Sequence, residues 1–460
     1  MSWTQESGYW RRPLDCHDQF FQLIGNAAKP LGREHWLSLG FIQLTFSPTT
    51  CIIPRLHAAW KAMRVRYPDI AAELHPTEKR YHPLQSPSDL QTWCNLTFHI
   101  PNDIHSAEEL SQQLRIGPPH MTCHWIPTTH QLVFISTHWR IDGHGFALFL
   151  DQFLHELESP TPLPTTFDGS EASNLIPSLD IVLNNTPDPK PNPIRSHHAH
   201  AHALLTSYLD GQPSIGLPIP PERLTSPPGR SLRASLLIPT QLTAILLTAC
   251  RTQGITLTTA LHASAIMHTV QANPTSSATR YISWMAVSLR KYCPPPFNGP
   301  LHAISARVMG VPINVNARAS WRELVSSIQG LYGVDWKKEI LDEGIRGPFV
   351  EGSMEMFRAE LEADGTGDGA TEPNFNSIGG LDGVIKKQYG DVGIGDVGII
   401  VQQVSKQVYL HAWGWRGEVC LSASFNEAYY TREEVDRWLR GVKETLVRNL
   451  LAGGGGGGRL

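Results

Sequence analysis

"FISTHWRIDGHGFALFLDQFLHEL", Phe134 to Leu157, sets three polar side chains and two glycines between an apolar run and an amphipathic one. Upstream, Gln131 to Thr137 contains Val, Phe and Ile in one apolar run and reads as a buried strand. Downstream, Phe146, Phe149, Leu150, Phe153, Leu154 and Leu157 recur at helical spacing, so a helix turns that face inward. Between them lie His138, Asp142 and His144, with Gly143 and Gly145 letting the chain fold back closely before the helix.

Such a stretch is a polar turn, a metal site or a proton-transfer site. Two imidazoles and a carboxylate are a known ligand set. Here, however, His138 closes a strand, Asp142 and Gly143 turn the chain, and His144 precedes a packed helix. Three ligands would have to converge while the backbone reverses, so no metal is expected. Proton transfer needs only His138 to face a cavity, because a neutral imidazole of pKa about 6.5 can take a proton from a hydroxyl or amine at neutral pH. Asp142 sits in the turn, so helical i,i+4 adjacency to His138 does not apply. Its expected work is to hold the turn, by bonding local backbone N–H groups or by pairing with an arginine.

The whole chain, 460 residues, exceeds one compact core, which predicts two domains or one two-lobed body. With 41% hydrophobic and 17% charged residues it is globular in composition. A net charge of -4 and scattered Lys and Arg give no electrostatic case for nucleic acid. The seven cysteines are dispersed without a C-x-x-C, as reduced thiols of an intracellular protein are. The N-terminal segment lacks a signal-peptide core, and no run reaches the roughly 18 apolar residues of a membrane helix. A soluble, cytoplasmic, monomeric protein without a membrane partner is expected.

Along the chain an αβ block spans 1–190, a Pro-rich crossover 191–230, a second αβ block 231–450, and a flexible Gly-rich tail 451–460. "WLSLGFIQLTF", "SLRASLLI" and "RYISWMAVSLRKY" read as strands. "CIIPRLHAAWKAMRVRYPDI", "PTQLTAILLTACRTQG" and "TREEVDRWLRGVKETLVRNL" read as helices. Two stretches imitate sites. "GIGDVG" at 393–398 matches G-x-G-x-x-G, but the residues after it read as a strand and not a helix, so a hairpin or loop is expected. "HHAHAH", His197 to His202, has no Cys or carboxylate nearby in sequence and reads as a solvated helix start.

His138-Trp-Arg-Ile-Asp142-Gly143 is an H-x-x-x-D-G motif, and in this context it resembles the active-site motif of the chloramphenicol-acetyltransferase-like superfamily. That superfamily includes BAHD acyltransferases, condensation domains and fungal alcohol acetyltransferases. "SGYWRRPLDCHDQFF", "SWMAVSLRKYCPPP", "NFNSIGGLDGVI" and "HAWGWRGEVCLSASFNEAYYTREEVDRWL" are similar to further segments of its fungal, trichothecene 15-O-acetyltransferase-like members, over about residues 8 to 450. Thr137 stands in place of the first His of the H-H-x-x-x-D-G form common in condensation domains, which favours a stand-alone acyltransferase. The plant D-F-G-W-G motif is absent.

The resemblance implies an α/β (α+β) fold of two lobes, each a mixed sheet with flanking helices, and an active-site tunnel between them. It implies acyl transfer from a thioester to a hydroxyl or amine. Acyl-CoA would be cosubstrate with no bound cofactor, and a small-molecule alcohol the acceptor. A carrier-protein donor and a catalytically silent binder stay open as alternatives. By likeness, His138 is the general base, Asp142 a structural anion, and Gly143 a turn residue and oxyanion N–H. Asn376 and Ser377 are further oxyanion candidates, Trp413 and Trp415 acceptor-site candidates with one of them core. Arg290 is the first candidate partner of Asp142, and Arg140 the second.

Overall fold

The computed structural model describes residues 2–183, 194–341, 344–366 and 369–452. It divides into two compact units. Unit 1 is Met1–Pro189, Ser288–Val308 and Asp382–Gln402; unit 2 is Lys190–Val287, Met309–Leu381 and Gln403–Leu460. Each unit is α/β, with a mixed sheet and flanking helices.

Unit 1 holds a six-stranded sheet in the order Gln388–Tyr389, Val392–Val401, Ser38–Thr45, Gln131–Ser136, Thr122–Ile126, Phe98–His99. All neighbours run antiparallel except the last pair. The contiguous first block drawn from the sequence therefore needs correction, since Val392–Val401 arrives from far downstream. Without it Ser38–Thr45 would be an open edge with unpaired backbone groups; instead Leu39 pairs Ile400 and Phe41 pairs Gly398. "GIGDVG" lies within this strand, where the register shifts between Ile394 and Val397, and not in a loop. A Cβ on Gly393 would stand 2.5 Å from Thr45 Oγ1, so the glycine lets the strands pair closely.

One face of the sheet buries Leu39, Phe41, Val133, Ile135 and Ile400 in a common cluster. Toward the other, the helix Gly143–Glu158 buries the six apolar residues whose spacing marks it in the sequence. Phe134 meets Phe149 and Phe153 edge-on at 5.3 and 5.0 Å. Gly40 is obligatory in this packing, because a Cβ there would stand 2.5 Å from the Phe146 ring.

Unit 2 holds a four-stranded sheet in the order Asn374–Gly380, Tyr409–Trp415, Glu418–Asn426, Ser231–Ile238, with the first pair parallel. Its core gathers Leu410, Ala412, Leu421 and Ala423 with residues of the helices Thr240–Gln253, Leu257–Ala272 and Arg432–Ala452. The first of these ends on Gly254 at φ 67°, a left-handed cap that glycine adopts without strain. The crossover 191–230 is not all linker: Ile194–Leu209 is a helix and contains the His tract. Its Ala- and Leu-containing run is free of proline, so helix propensity prevails there. The hexaglycine at 453–458 lies outside the described residues. Among those described, no helix is long and apolar enough to cross a membrane.

Burial drives His35 in unit 1 and His262 in unit 2 down to about 3. Each would bind a proton in the unfolded chain below pH about 6.5 but not in the folded one. Their contribution is therefore present at neutral pH and lost as pH falls from 6.5 toward 3. A fall from pH 7.5 to 5.5 is expected to cost about 1 kcal/mol per histidine. Urea midpoints at the two pH values measure this, and an unchanged midpoint would rule it out.

Candidate active site

Strand Gln131–Ser136 ends one residue before Thr137, and His138, Trp139 and Arg140 form the turn after it. Helix Gly143–Glu158 then begins with Asp142 as its N-cap, the carboxylate Oδ1 accepting from Gly145 N–H at 2.6 Å. The cap leaves the Gly143 N–H among the first-turn donors that a helix cannot satisfy internally.

The Asp142 carboxylate is buried and fully employed. Arg290 Nη2 donates to both oxygens, at 3.2 and 3.3 Å, and the Arg307 N–H donates to Oδ2 at 2.5 Å. Burial alone would raise its pKa. Arg290, the Gly145 and Arg307 N–H groups and His144 outweigh that and hold it below the usual carboxylate range. Arg290 is itself buried and bonds the carbonyl oxygens of His302, Ala303 and Ser305. Arg140 does not reach Asp142; its guanidinium bonds the carbonyls of Asp69, Ala72 and Pro119 and the hydroxyls of Ser136 and Thr137. Of the two arginines considered from the sequence, the pair therefore goes to Arg290. Gly145 is the tight point of this knot, since a Cβ would stand 2.5 Å from the Ala303 oxygen and 2.8 Å from Arg290 Nη2. Gly145→Ala is expected to cost about 1–3 kcal/mol by thermal denaturation; a variant as stable as the wild type would refute the close fit.

The His138 ring stacks on Phe21 at 4.6 Å with 9° between the planes, and Trp36 sits tilted at 5.8 Å. Nδ1 is buried without a hydrogen-bond partner on another residue. Desolvation lowers the His138 pKa below its ordinary value, opposed by a bond to its own backbone and by the Asp142 charge. The ring is accordingly neutral at pH 7, and as the residue is only half-buried, Nε2 is its open nitrogen. This is what a proton acceptor requires.

Several supporting residues carry no motif. Phe21 belongs to the helix Cys16–Asn26, which a capping box of Asp15 and Asp18 starts. Asp18 also holds Arg12 at 3.0 Å and Lys79 at 2.5 Å, and the Lys79 ammonium lies 4.7 Å from the centre of the Trp139 ring. Phe21 and Lys79 thus brace two successive residues of the turn. Trp36 takes a left-handed backbone, φ 60°, with its N–H on the Gln402 oxygen at 2.9 Å. Phe21 has a sequence signal only in hindsight, as the inward position of a capped amphipathic helix; Trp36 has none. Phe21→Leu removes a stacking contact worth about 0.5–1.5 kcal/mol, so turnover should fall about 2–10-fold with the fold retained. Steady-state kinetics would expose a superfluous contact as an unchanged kcat.

The remaining candidates lie in unit 2. Asn376 and Ser377 are successive residues of Asn374–Gly380 and face opposite sides; Ser377 Oγ is 2.9 Å from Thr258 Oγ1. Trp413 and Trp415, two apart on one strand, share a face and are both buried, contrary to the expectation that one alone would be core. That face is opposite the one that gives Leu410 and Ala412 to the unit 2 core. Among the described residues no three His, Cys, Asp or Glu side chains are grouped to hold a metal ion.

No family profile matches the chain. It is 29% identical to the acetyltransferase pigO of Monascus ruber, over 98% of both chains. It is 26% identical to the O-acetyltransferase pigM of the same organism, over 98% of this chain and 87% of that one. Its fold matches the trichothecene 15-O-acetyltransferase TRI3 of Fusarium sporotrichioides with a TM-score of 0.77 at 14% identity, covering 97% of this chain and 96% of that one. With these likenesses added to the H-x-x-x-D-G turn, the chain is an acyltransferase, similar in sequence to the Monascus acetyltransferases and in fold to the trichothecene 15-O-acetyltransferase.

Proposed function

We propose that the chain transfers an acyl group, acetyl in the first instance, from acyl-CoA to a hydroxyl of a small secondary metabolite. The observation that carries this reading is the state of His138: neutral, face-stacked on Phe21, with Nδ1 buried and Nε2 open. A thiol of pKa about 8.5 is a good leaving group, so the thioester is already activated and the alcohol is the partner that needs help. Nε2 takes the hydroxyl proton as the alcohol oxygen attacks the thioester carbon. The tetrahedral oxyanion then collapses, the C–S bond breaks, and Nε2 returns the proton to sulfur. The Gly143 N–H, at a helix N-terminus, is a donor suited to the oxyanion, and Asn376 and Ser377 stay the further candidates that the resemblance implies.

Asp142 acts through position in this scheme, fixing the turn that presents His138. No covalent acyl-enzyme is required. Burial pushes the thiols of Cys94, Cys123, Cys250 and Cys293 up, Cys250 to about 11, which makes them poor nucleophiles. The names of the Monascus relatives support acetyl as the group carried. Incubation with acetyl-CoA and pooled hydroxylated small molecules, followed by free-thiol detection and mass spectrometry, tests the proposal. A product heavier by one acetyl group supports it. Absence of transfer from acetyl-CoA and longer acyl-CoAs would move the donor to a carrier protein.

A further inference from the structure

Unit 2 carries a partly open pocket of about 340 Å³ that the proposed reaction does not use. Its floor is the ribbon formed by Arg280–Ser288 and Val308–Asn316. Val311, Ile313 and Val315 of that ribbon are buried, while Pro312 and Asn314 alternate with them and line the cavity. Leu204 and Tyr208, Leu331, Ile340 and Phe349 supply apolar walls.

Arg280 in this lining has a guanidinium edge that no described residue takes up. Arg280 gives Nε to Asn314 Oδ1 at 2.7 Å and Nη2 to the Asn314 carbonyl at 3.1 Å, and makes no ion pair among the described residues. Its Nη1 is left over, and a guanidinium with a free edge suits a carboxylate. Trp336, 6% exposed, adds a further aromatic wall. The cavity volume is at the lower end of sites that take organic ligands.

We infer that this pocket binds an apolar carboxylic acid, its chain against the aliphatic and aromatic walls and its carboxylate on Arg280. Asp210 also lines the cavity and is exposed. Its charge opposes that of the ligand, so Asp210→Asn is expected to tighten binding.

Calorimetry with decanoate, and with decanol as the uncharged control, tests this independently of the acyl-transfer reading. One decanoate should bind per chain, at least about tenfold more tightly than decanol. Arg280→Gln should weaken decanoate at least about tenfold. Leu204→Trp, which fills the cavity from a half-buried helical position, should abolish binding while thiol release continues. His138→Ala should bind decanoate as the wild type does. Failure to saturate below millimolar concentration would overturn the inference. So would binding that survives both Arg280→Gln and Leu204→Trp, or binding lost in His138→Ala, which would place the acid in the reaction site.

Discussion

Asp142→Ala is expected to destabilise the protein by about 3–5 kcal/mol, the cost of leaving a buried charge without its partner. The carboxylate is 4% exposed and so is Arg290. Removing it strands the guanidinium, the Arg307 N–H and the Gly145 N–H together, and unfastens the start of the helix Gly143–Glu158. Asp142→Asn should cost less, because the amide oxygen can still cap the helix while the charge is lost. The pH dependence comes from the lowered carboxylate pKa. Its contribution is present above the ordinary value of about 3.9 and disappears as pH falls through the folded-state pKa below that. Urea denaturation measures all three. A loss under about 1 kcal/mol in Asp142→Ala would mean that the Asp142–Arg290 pair holds nothing in place.

His138→Ala is expected to reduce acyl transfer by about 10²–10⁴-fold, the usual contribution of a positioned base. The fold should survive, because the ring is half-buried and its contacts are the stack on Phe21 and the tilted approach of Trp36. In the wild type, kcat/KM should fall on acidification with a midpoint below about 6.5, since desolvation lowers the His138 pKa. Enzyme and variant compared across pH 5 to 8 would separate this from a structural role. A variant that retains turnover, or an acid limb above pH 6.5, would contradict the assignment.

The sequence was legible locally. The helix after the motif was readable because six apolar residues keep one spacing, and the strand before it because its apolar run is bounded by polar residues. The arginine partner was within reach by resemblance, yet 148 residues separate Asp142 from Arg290 and no pattern links them. The division of the chain was less legible, because the strand Val392–Val401 completes a sheet begun at Ser38. Periodicity reports which face is buried and says nothing of which neighbour covers it. Phe21 and Trp36 escaped for the same reason: an inward aromatic on a helix looks like core until the ring it stacks on is known. The helix Ile194–Leu209 was legible at its histidines, which read as a helix start, while the prolines on either side obscured its extent.

The most direct measurement of the central claim is free-thiol release from acetyl-CoA, with and without hydroxylated acceptors, by the wild type and His138→Ala side by side. The account predicts release that depends on acceptor and falls about 10²–10⁴-fold in the variant. Release that proceeds at the wild-type rate in His138→Ala, with product still acetylated, would contradict it.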